Sequence, residues 1–226
     1  IVNMYKVGAL PSGEDLYINR IAFEADLLVA EGFIEPHFFA GFSGGRKSIF
    51  PGITNRSVIM SNHCSENISN PRARTGVLNG NPIHEEMVYA AGLSGLNFIL
   101  NVVLDENKKV INAFCGHYDL AHRKGCEFVR KIATVEAKPA DIVITTNGGY
   151  PLDQNIYQAV KGMTAAEASC VEGGVIIAVS QCIDGVGGES FYRSFKGKSL
   201  PDIMNEITNR ASTETIPDQW QSQILA

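Results

Sequence analysis

The sequence predicts an α/β fold that contains two domains with mainly parallel sheets. The clearest sign is a buried strand at Asp141–Thr145, a helix at 154–169 and a second strand at Gly174–Ser180. Strand, helix and strand within about 40 residues is the pattern of a βαβ unit, whose strands are parallel. Further strand and helix patterns alternate in the preceding half of the chain, which favours the same class there.

A change of composition at Ala137–Ala140, which reads Ala-Lys-Pro-Ala, predicts a domain boundary. We therefore predict that residues 1–136 are the C-terminal part of a first domain and residues 137–226 the N-terminal part of a second. Ligand sites often occupy clefts at domain interfaces, so we expect the active site in a cleft between these two domains.

Each element of the first domain is predicted by a local pattern. Short apolar runs predict strands, 3.6-residue periodicity predicts helices, and a polar turn between two apolar runs predicts a hairpin. The patterns give a strand at 26–30, helices at 53–62, 84–92 and 118–134, and a hairpin of Asn97–Leu104 with Lys109–Phe114.

Composition excludes several classes of protein. The 226 residues are 45% hydrophobic and 19% charged, with a net charge of -5, which is globular and argues against a nucleic-acid-binding protein. Five cysteines without a CxxC pair favour a reducing cytoplasm over a disulfide framework. No apolar run approaches the roughly 20 residues that span a bilayer, so no membrane partner is expected. The start at Ile1 and a helical pattern interrupted at 218–226 predict a chain truncated at both ends.

The stretch from Glu35 to Gly52 is the strongest candidate for a ligand-binding loop. Gly44 and Gly45 permit positive φ and close backbone approach to a ligand, and loop N–H groups can bind a phosphate. His37 and Lys47 bracket these glycines. The alternative is a tight surface loop with a solvated lysine, but the concentration of basic side chains favours a site.

Four other histidines need an interpretation. His63 follows a short predicted helix at the surface, where it is either a hydrogen-bonded structural residue or a ligand for nickel or zinc. His84 opens a predicted helix, and we expect it to cap that helix. His117 and His122 are five residues apart and do not share a helix face, so we expect structural roles.

A second candidate segment lies where the strand at Asp141–Thr145 ends and a helix begins, which is the ligand edge of a parallel sheet. Gln158 and Lys161 are three residues apart and share a helix face, with Tyr157 as a neighbour. Together they could hold a carboxylate or a developing oxyanion. The alternative is an exposed amphipathic face.

These segments together resemble the nickel-pincer lactate racemase family, from Asn19 to about Ser180. That family has the loop P-H-x-F-A-G-x-S-G-G-x-K followed by P-G. Here Pro36–Lys47 reads PHFFAGFSGGRK, and Pro51-Gly52 follows.

The resemblance implies a cofactor and a set of roles. Lys47 would carry the nickel-pincer nucleotide, a pyridinium-3-thioamide-5-thiocarboxylate mononucleotide, through a thioamide, and His63 would be the protein's nickel ligand. His37 would be an acid/base residue. Gly44 and Gly45 would contact the cofactor. Tyr157, Gln158 and Lys161 would bind the substrate, and Gln158 and Lys161 would also be catalytic by stabilising its oxygen as charge develops.

The implied reaction is racemisation of a lactate-type 2-hydroxyacid by reversible, proton-coupled hydride transfer. An epimerase of the same family for malate, an aromatic 2-hydroxyacid or a sugar acid is an alternative. A non-catalytic relative and a zinc hydrolase are two others. Because the family's second acid/base histidine and its carboxylate-binding arginine precede the matched region, we expect this chain alone to be inactive. Its oligomeric state is not predicted.

Overall fold

The computed structural model describes residues 3–226, and they form two compact units. The first unit runs to His63 and resumes over Ser69–Thr134. The second comprises Cys64–Ile68 and Val135–Ala226. Both units combine helices with strands, which confirms the α/β class. The main change of unit follows Thr134, whereas the predicted boundary is at 137, and nothing in the sequence predicted the separate segment at 64–68.

The first unit opens with an antiparallel hairpin in which β1 (Met4–Ala9) pairs with β2 (Asp15–Asn19). Alternate residues of β2 are fully buried, as a half-buried strand requires. The Asn19 side chain then caps the one-turn helix α1 (Arg20–Phe23). These three elements were not predicted, because each is too short to give a periodic signal.

A three-stranded sheet forms the centre of the first unit. Its order is β3 (Leu28–Phe33), β6 (Leu96–Leu104) and β7 (Val110–Gly116). β3 and β6 are parallel, whereas β6 and β7 are the predicted antiparallel hairpin. The Asp105 carboxylate accepts two backbone N–H groups in the hairpin turn, which explains why that turn is polar.

The predicted helices of the first unit are confirmed as α2 (Arg56–Asn62), α4 (Pro82–Leu93) and α5 (Leu120–Ala133). A further short helix, α3 (Ser65–Ser69), follows α2 in the chain, although its residues 65–68 belong to the second unit. Both α4 and α5 pack on β6. Two clusters of buried apolar residues lie in this unit. One comprises Ala30, Ile49, Ala91, Leu96, Ile99 and Ala121, and the other Ile34, Phe42, Leu78, Val103, Cys126 and Val129.

The glycine-rich loop connects β3 to α2 and is more regular than predicted. Within it, β4 (Pro36–His37) and β5 (Gly41–Phe42) form a two-residue antiparallel ladder, with His37 opposite Gly41. A 3-10 helix over Gly45–Ser48 follows. We call residues 36–48 the lysine loop.

The second unit contains the predicted βαβ element. β8 (Ala140–Thr146) and β9 (Cys170–Val179) are parallel, and α6 (Ile156–Glu167) connects them. The Asn155 side chain caps α6 by accepting the Gln158 N–H at 2.9 Å. This confirms the prediction of a strand end that leads directly into the helix carrying the candidate residues.

Helices complete the second unit. α7 (Glu189–Phe195), α8 (Leu200–Thr208) and α9 (Gln219–Leu225) follow β9. α9 packs against α6, and its Gln223 amide donates to the Ser65 carbonyl at 3.1 Å, within the segment 64–68. This bond ties the separate segment to the rest of the second unit.

Each unit therefore holds one parallel pairing, and the three other strand pairings in residues 3–226 are antiparallel. Across the same residues, no helix is long and apolar enough to cross a membrane.

Candidate active site

His37 lies at the end of β4, half-buried, and its ring is fixed by the turn that follows. Its Nδ1 accepts the Ala40 N–H at 3.2 Å. The ring also stacks on Phe38 and meets the edge of Phe39, with centroids 4.9 and 4.6 Å away. Because Nδ1 is an acceptor, the proton of the neutral ring is on Nε2. In this tautomer the Nε2–H is a hydrogen-bond donor, and Nε2 can accept a proton only when the ring proton lies on Nδ1 and the Ala40 contact is released.

His63 ends α2 as its C-cap, and its N–H donates to the Ile59 carbonyl at 3.0 Å. Its side chain is only 5% exposed, so the expectation of a surface position was wrong. Burial, and then the charge of Lys47, lower the pKa of His63 to about 3. The imidazole is therefore neutral at physiological pH and keeps a lone pair that can bind a metal.

Phe39 connects the two histidines. Its ring is edge-on to His63 at 5.1 Å and edge-on to His37 at 4.6 Å, and it is itself buried. Lys47 lies in the 3-10 helix, and its charge is felt at His63. The first unit thus brings together the predicted residues His37, Lys47 and His63.

The glycines of the lysine loop permit close packing against the sheet and α5. Gly44 and Gly45 both have positive φ, 75° and 54°. A Cβ at position 44 would lie 2.9 Å from the Asn101 Oδ1, and one at position 45 would lie 2.8 Å from the His122 ring. The Gly45 N–H donates to that Asn101 oxygen at 2.7 Å. These contacts explain why glycine is required, and a cofactor contact by either residue stays a prediction.

Arg46 was not singled out from the sequence, yet it is fully buried beneath the lysine loop. Its Nη2 donates to the Ala40 carbonyl at 2.8 Å, and its Nη1 donates to the Phe42 carbonyl at 2.8 Å. Burial lowers its pKa to about 10, so the guanidinium keeps its charge at neutral pH. The adjacent basic pair in the sequence could not show which residue was buried.

His84 and His122 form a buried pair beside Arg46. The two rings stack at 6.2 Å, and burial lowers the pKa of His84 to about 2 and that of His122 to about 3. The prediction that His84 caps a helix was wrong, because the Asn81 side chain caps α4 instead. Neither ring nitrogen of His84 has a hydrogen-bond partner among the described residues.

In the second unit, Lys161 and Gln158 project from one face of α6, as predicted. The Lys161 Nζ donates to the Gln158 Oε1 at 2.7 Å. Lys161 is exposed and Gln158 is half-buried. The Asn147 side chain donates to the Gln158 carbonyl at 3.0 Å, which ties the turn after β8 to α6.

Tyr157 is held by the packing of α6 against neighbouring helices. Its hydroxyl accepts from the Trp220 indole at 3.3 Å, and its ring meets Phe191 edge-on at 5.4 Å. Burial raises its pKa. These contacts favour a packing role for Tyr157, and the predicted substrate contact is untested.

The described residues offer few groupings of side chains that could bind a metal ion. Residues 3–226 contain no cluster of three or more His, Cys, Asp and Glu side chains that could hold a metal ion. A metal bound at His63 would therefore need ligands from outside that set.

Comparisons with known proteins cover nearly the whole chain. The family description "Lactate racemase N-terminal domain" matches residues 2–76, and "Lactate racemase C-terminal domain" matches residues 135–226. The lactate racemase of Thermoanaerobacterium thermosaccharolyticum is 67% identical, and that of Lactiplantibacillus plantarum is 57% identical. Each alignment covers 99% of this chain and 53% of the relative, so the chain spans about half the length of the curated relatives it matches.

Solved structures agree with this similarity. The lactate racemase apoprotein from T. thermosaccharolyticum matches with a TM-score of 0.96 and 66% identity, over 99% of this chain and 54% of that one. A crystal structure of a Thermotoga maritima protein matches with a TM-score of 0.70 and 20% identity, over 99% of this chain and 60% of that one. The second match shows a shared fold only.

Proposed function

The chain belongs to the lactate racemase family, and we propose that it supports the interconversion of the two enantiomers of lactate, a small 2-hydroxyacid. One observation carries the proposal. His37 and His63 both contact the Phe39 ring, and burial, and then the charge of Lys47, lower the pKa of His63. A proton-exchanging imidazole, a neutral imidazole and an amine are thus grouped in one small region.

The same residues fit a lysine-tethered nickel-pincer nucleotide. His63 offers a neutral nitrogen, a good ligand for nickel, and Lys47 offers an amine for covalent attachment. Of the described residues, His63 and Lys47 would thus hold the group, and the remaining metal ligands would come from the group itself. When bound, this group supplies the acceptor and donor of a hydride.

The chain's own residues would bind and orient the substrate and move its hydroxyl proton. We propose that His37 takes the substrate hydroxyl proton on an unprotonated Nε2 and later returns it. Because the Ala40 N–H occupies Nδ1 and leaves the ring proton on Nε2, this role requires the ring to release that contact and carry its proton on Nδ1. Lys161, supported by Gln158, stabilises negative charge on the substrate's oxygen atoms.

The test uses the full-length protein from a host that makes the cofactor. Incubation with D-lactate and, separately, with L-lactate should give the same racemic mixture by chiral chromatography, and peptide mass spectra should show an adduct on Lys47. An active preparation with unmodified Lys47 would overturn the cofactor proposal. Parallel reactions with malate, an aromatic 2-hydroxyacid and a sugar acid test which substrate is preferred. Faster turnover of any of these would overturn the proposal that lactate is the substrate.

A further inference from the structure

The Arg46 side chain passes back beneath the lysine loop and contacts four of its backbone carbonyls. Nη2 reaches the Ala40 oxygen, and Nη1 reaches the oxygens of Phe42, Ser43 and Gly44 at 2.8, 3.4 and 3.2 Å. One guanidinium therefore holds the inner side of the turn that lies between His37 and Lys47. A planar group with several donors in fixed directions suits this task.

No described carboxylate pairs with Arg46. None of the salt bridges within residues 3–226 includes Arg46. Its side chain is nevertheless 0% exposed, so the charge is shielded from water. A buried charge of this kind is normally costly to fold around. Here the carbonyl dipoles supply the compensating negative partial charge, so the loop can adopt few other conformations without exposing the guanidinium to an apolar interior.

His122 closes the cluster from α5. Its Nε2 lies 2.8 Å from the Ser43 carbonyl and 3.1 Å from the Arg46 Nη1. Since the guanidinium is always a donor, the shorter contact is satisfied when the neutral ring donates Nε2–H to Ser43. The ring also lies against Gly45, where a Cβ would approach within 2.8 Å. His122 therefore contacts the loop at Ser43 and at Gly45, on either side of Gly44 in the chain.

We infer that Arg46, braced by His122, is a positioning residue that fixes the lysine loop in one conformation and so sets the places of His37 and Lys47. Arg46 faces the protein interior, and Lys47 follows it directly in the chain. The buried Arg46 side chain therefore fixes the backbone position from which the Lys47 side chain extends. Only the catalytic consequence rests on the proposed function. The conformational part is a property of the chain itself.

The first experiment measures hydrogen exchange of the full-length protein without cofactor. In Arg46→Met, peptides covering residues 38–48 should exchange at least about tenfold faster, because several bonds to a charged donor are lost. Peptides from β6 and β7 should keep their protection. The matched control is Arg20→Met, an exposed arginine in the same unit, which should leave the loop unchanged.

The second measurement separates positioning from general destabilisation. Arg46→Lys keeps the charge but cannot span the Ala40 and Phe42 oxygens at once, so loop protection should recover only in part. An amine-labelling reagent should modify Lys47 at a changed rate in Arg46→Met and at an intermediate rate in Arg46→Lys. In protein loaded with cofactor, kcat should fall more than KM rises.

Unchanged exchange at 38–48 in a folded Arg46→Met protein would overturn the inference. So would equal acceleration in β6 and β7, because that result means global loss of stability. If Arg46→Met does not fold, His122→Gln applies the same test from the other side of the cluster. Because exchange and labelling need no cofactor, their failure is distinct from failure of the proposed racemisation.

Discussion

The lysine loop of the first unit holds its side chains through buried polar contacts, whereas α6 of the second unit presents Gln158 and Lys161 by ordinary helical spacing. The loop depends on Arg46, Asn101 and His122, all nearly or fully buried. Lys161 is exposed, and its Nζ donates to the Gln158 Oε1 at 2.7 Å. We therefore expect the effects of substitutions in the loop to be coupled, whereas the effects of substitutions on α6 should be independent of those in the loop.

The largest effect is expected at Lys47. Lys47→Arg keeps a positive charge but removes the amine that forms the thioamide, so the adduct and racemisation should both fall to background. Peptide mass spectra and chiral chromatography measure the two losses. Lys124→Arg, an exposed position in the same unit, is the control and should behave like the unaltered protein. Racemisation that survives in Lys47→Arg would remove the lysine from the reaction.

A nearly equal loss of racemisation is expected when His63 is replaced, because the variant should no longer bind nickel. Because His63 is buried, His63→Gln is a better test than an alanine variant, which would leave a cavity. Nickel content per chain should fall sharply by elemental analysis, while circular dichroism stays native. His117→Gln serves as the exposed control. Unaltered nickel stoichiometry in His63→Gln would refute its role as a ligand.

Replacing Lys161 on α6 should have a smaller effect, which lowers activity without changing the cofactor content. Lys161→Met should lower kcat/KM by about 10²–10³-fold, the usual cost of one lost transition-state donor. Adduct and nickel content should not change, since the loop is intact. The exposed Lys138→Met is the comparison variant. If Lys161→Met also loses the adduct, then the two regions are not independent, and the contrast drawn above is wrong.

The smallest expected effect concerns stability against pH. The pKa of His84 is lowered to about 2, whereas an unfolded chain binds its proton near 6.5. Stability is therefore complete above about pH 6.5 and is lost as the pH falls towards the folded value.

One such histidine should cost about 2 kcal/mol between pH 7 and pH 5, measured from urea unfolding. His84→Leu should remove this share of the dependence and leave the shares of His63 and His122, whose pKa values are lowered to about 3. The substitution breaks no hydrogen bond, because neither His84 ring nitrogen has a partner among the described residues. His117→Gln should retain it. Equal slopes in all three proteins would mean that His84 does not titrate in this way.

Long periodic elements and the βαβ unit could be predicted from the sequence, because period and length are local properties. The hairpin of β6 and β7 was predicted for the same reason, since its turn residues separate two apolar runs. The short elements β1, α1 and α3 could not be, because a few residues have no measurable period. They owe their structure to pairing and caps.

The candidate site was predicted in part. His37, Lys47 and His63 lie in recognisable motifs, and the structure groups them. Arg46 and His84 were missed because burial depends on contacts with distant residues. His122 lies 76 positions from Arg46, and no spacing rule links them. The helix cap was misassigned for a related reason, since Asn81 and His84 both occupy the first turn of α4.

The segment Cys64–Ile68 has a consequence for how the protein could be divided or recombined. The chain passes between units at His63/Cys64, at Ile68/Ser69 and at Thr134/Val135. A gene cut at codon 134 would therefore give a first piece that also carries residues 64–68 of the second unit, and a second piece that lacks them. The units cannot be exchanged as simple cassettes between related genes. A chimera would have to transfer codons 64–68 together with those from 135 onward, and the first of those codons directly follows the one for His63.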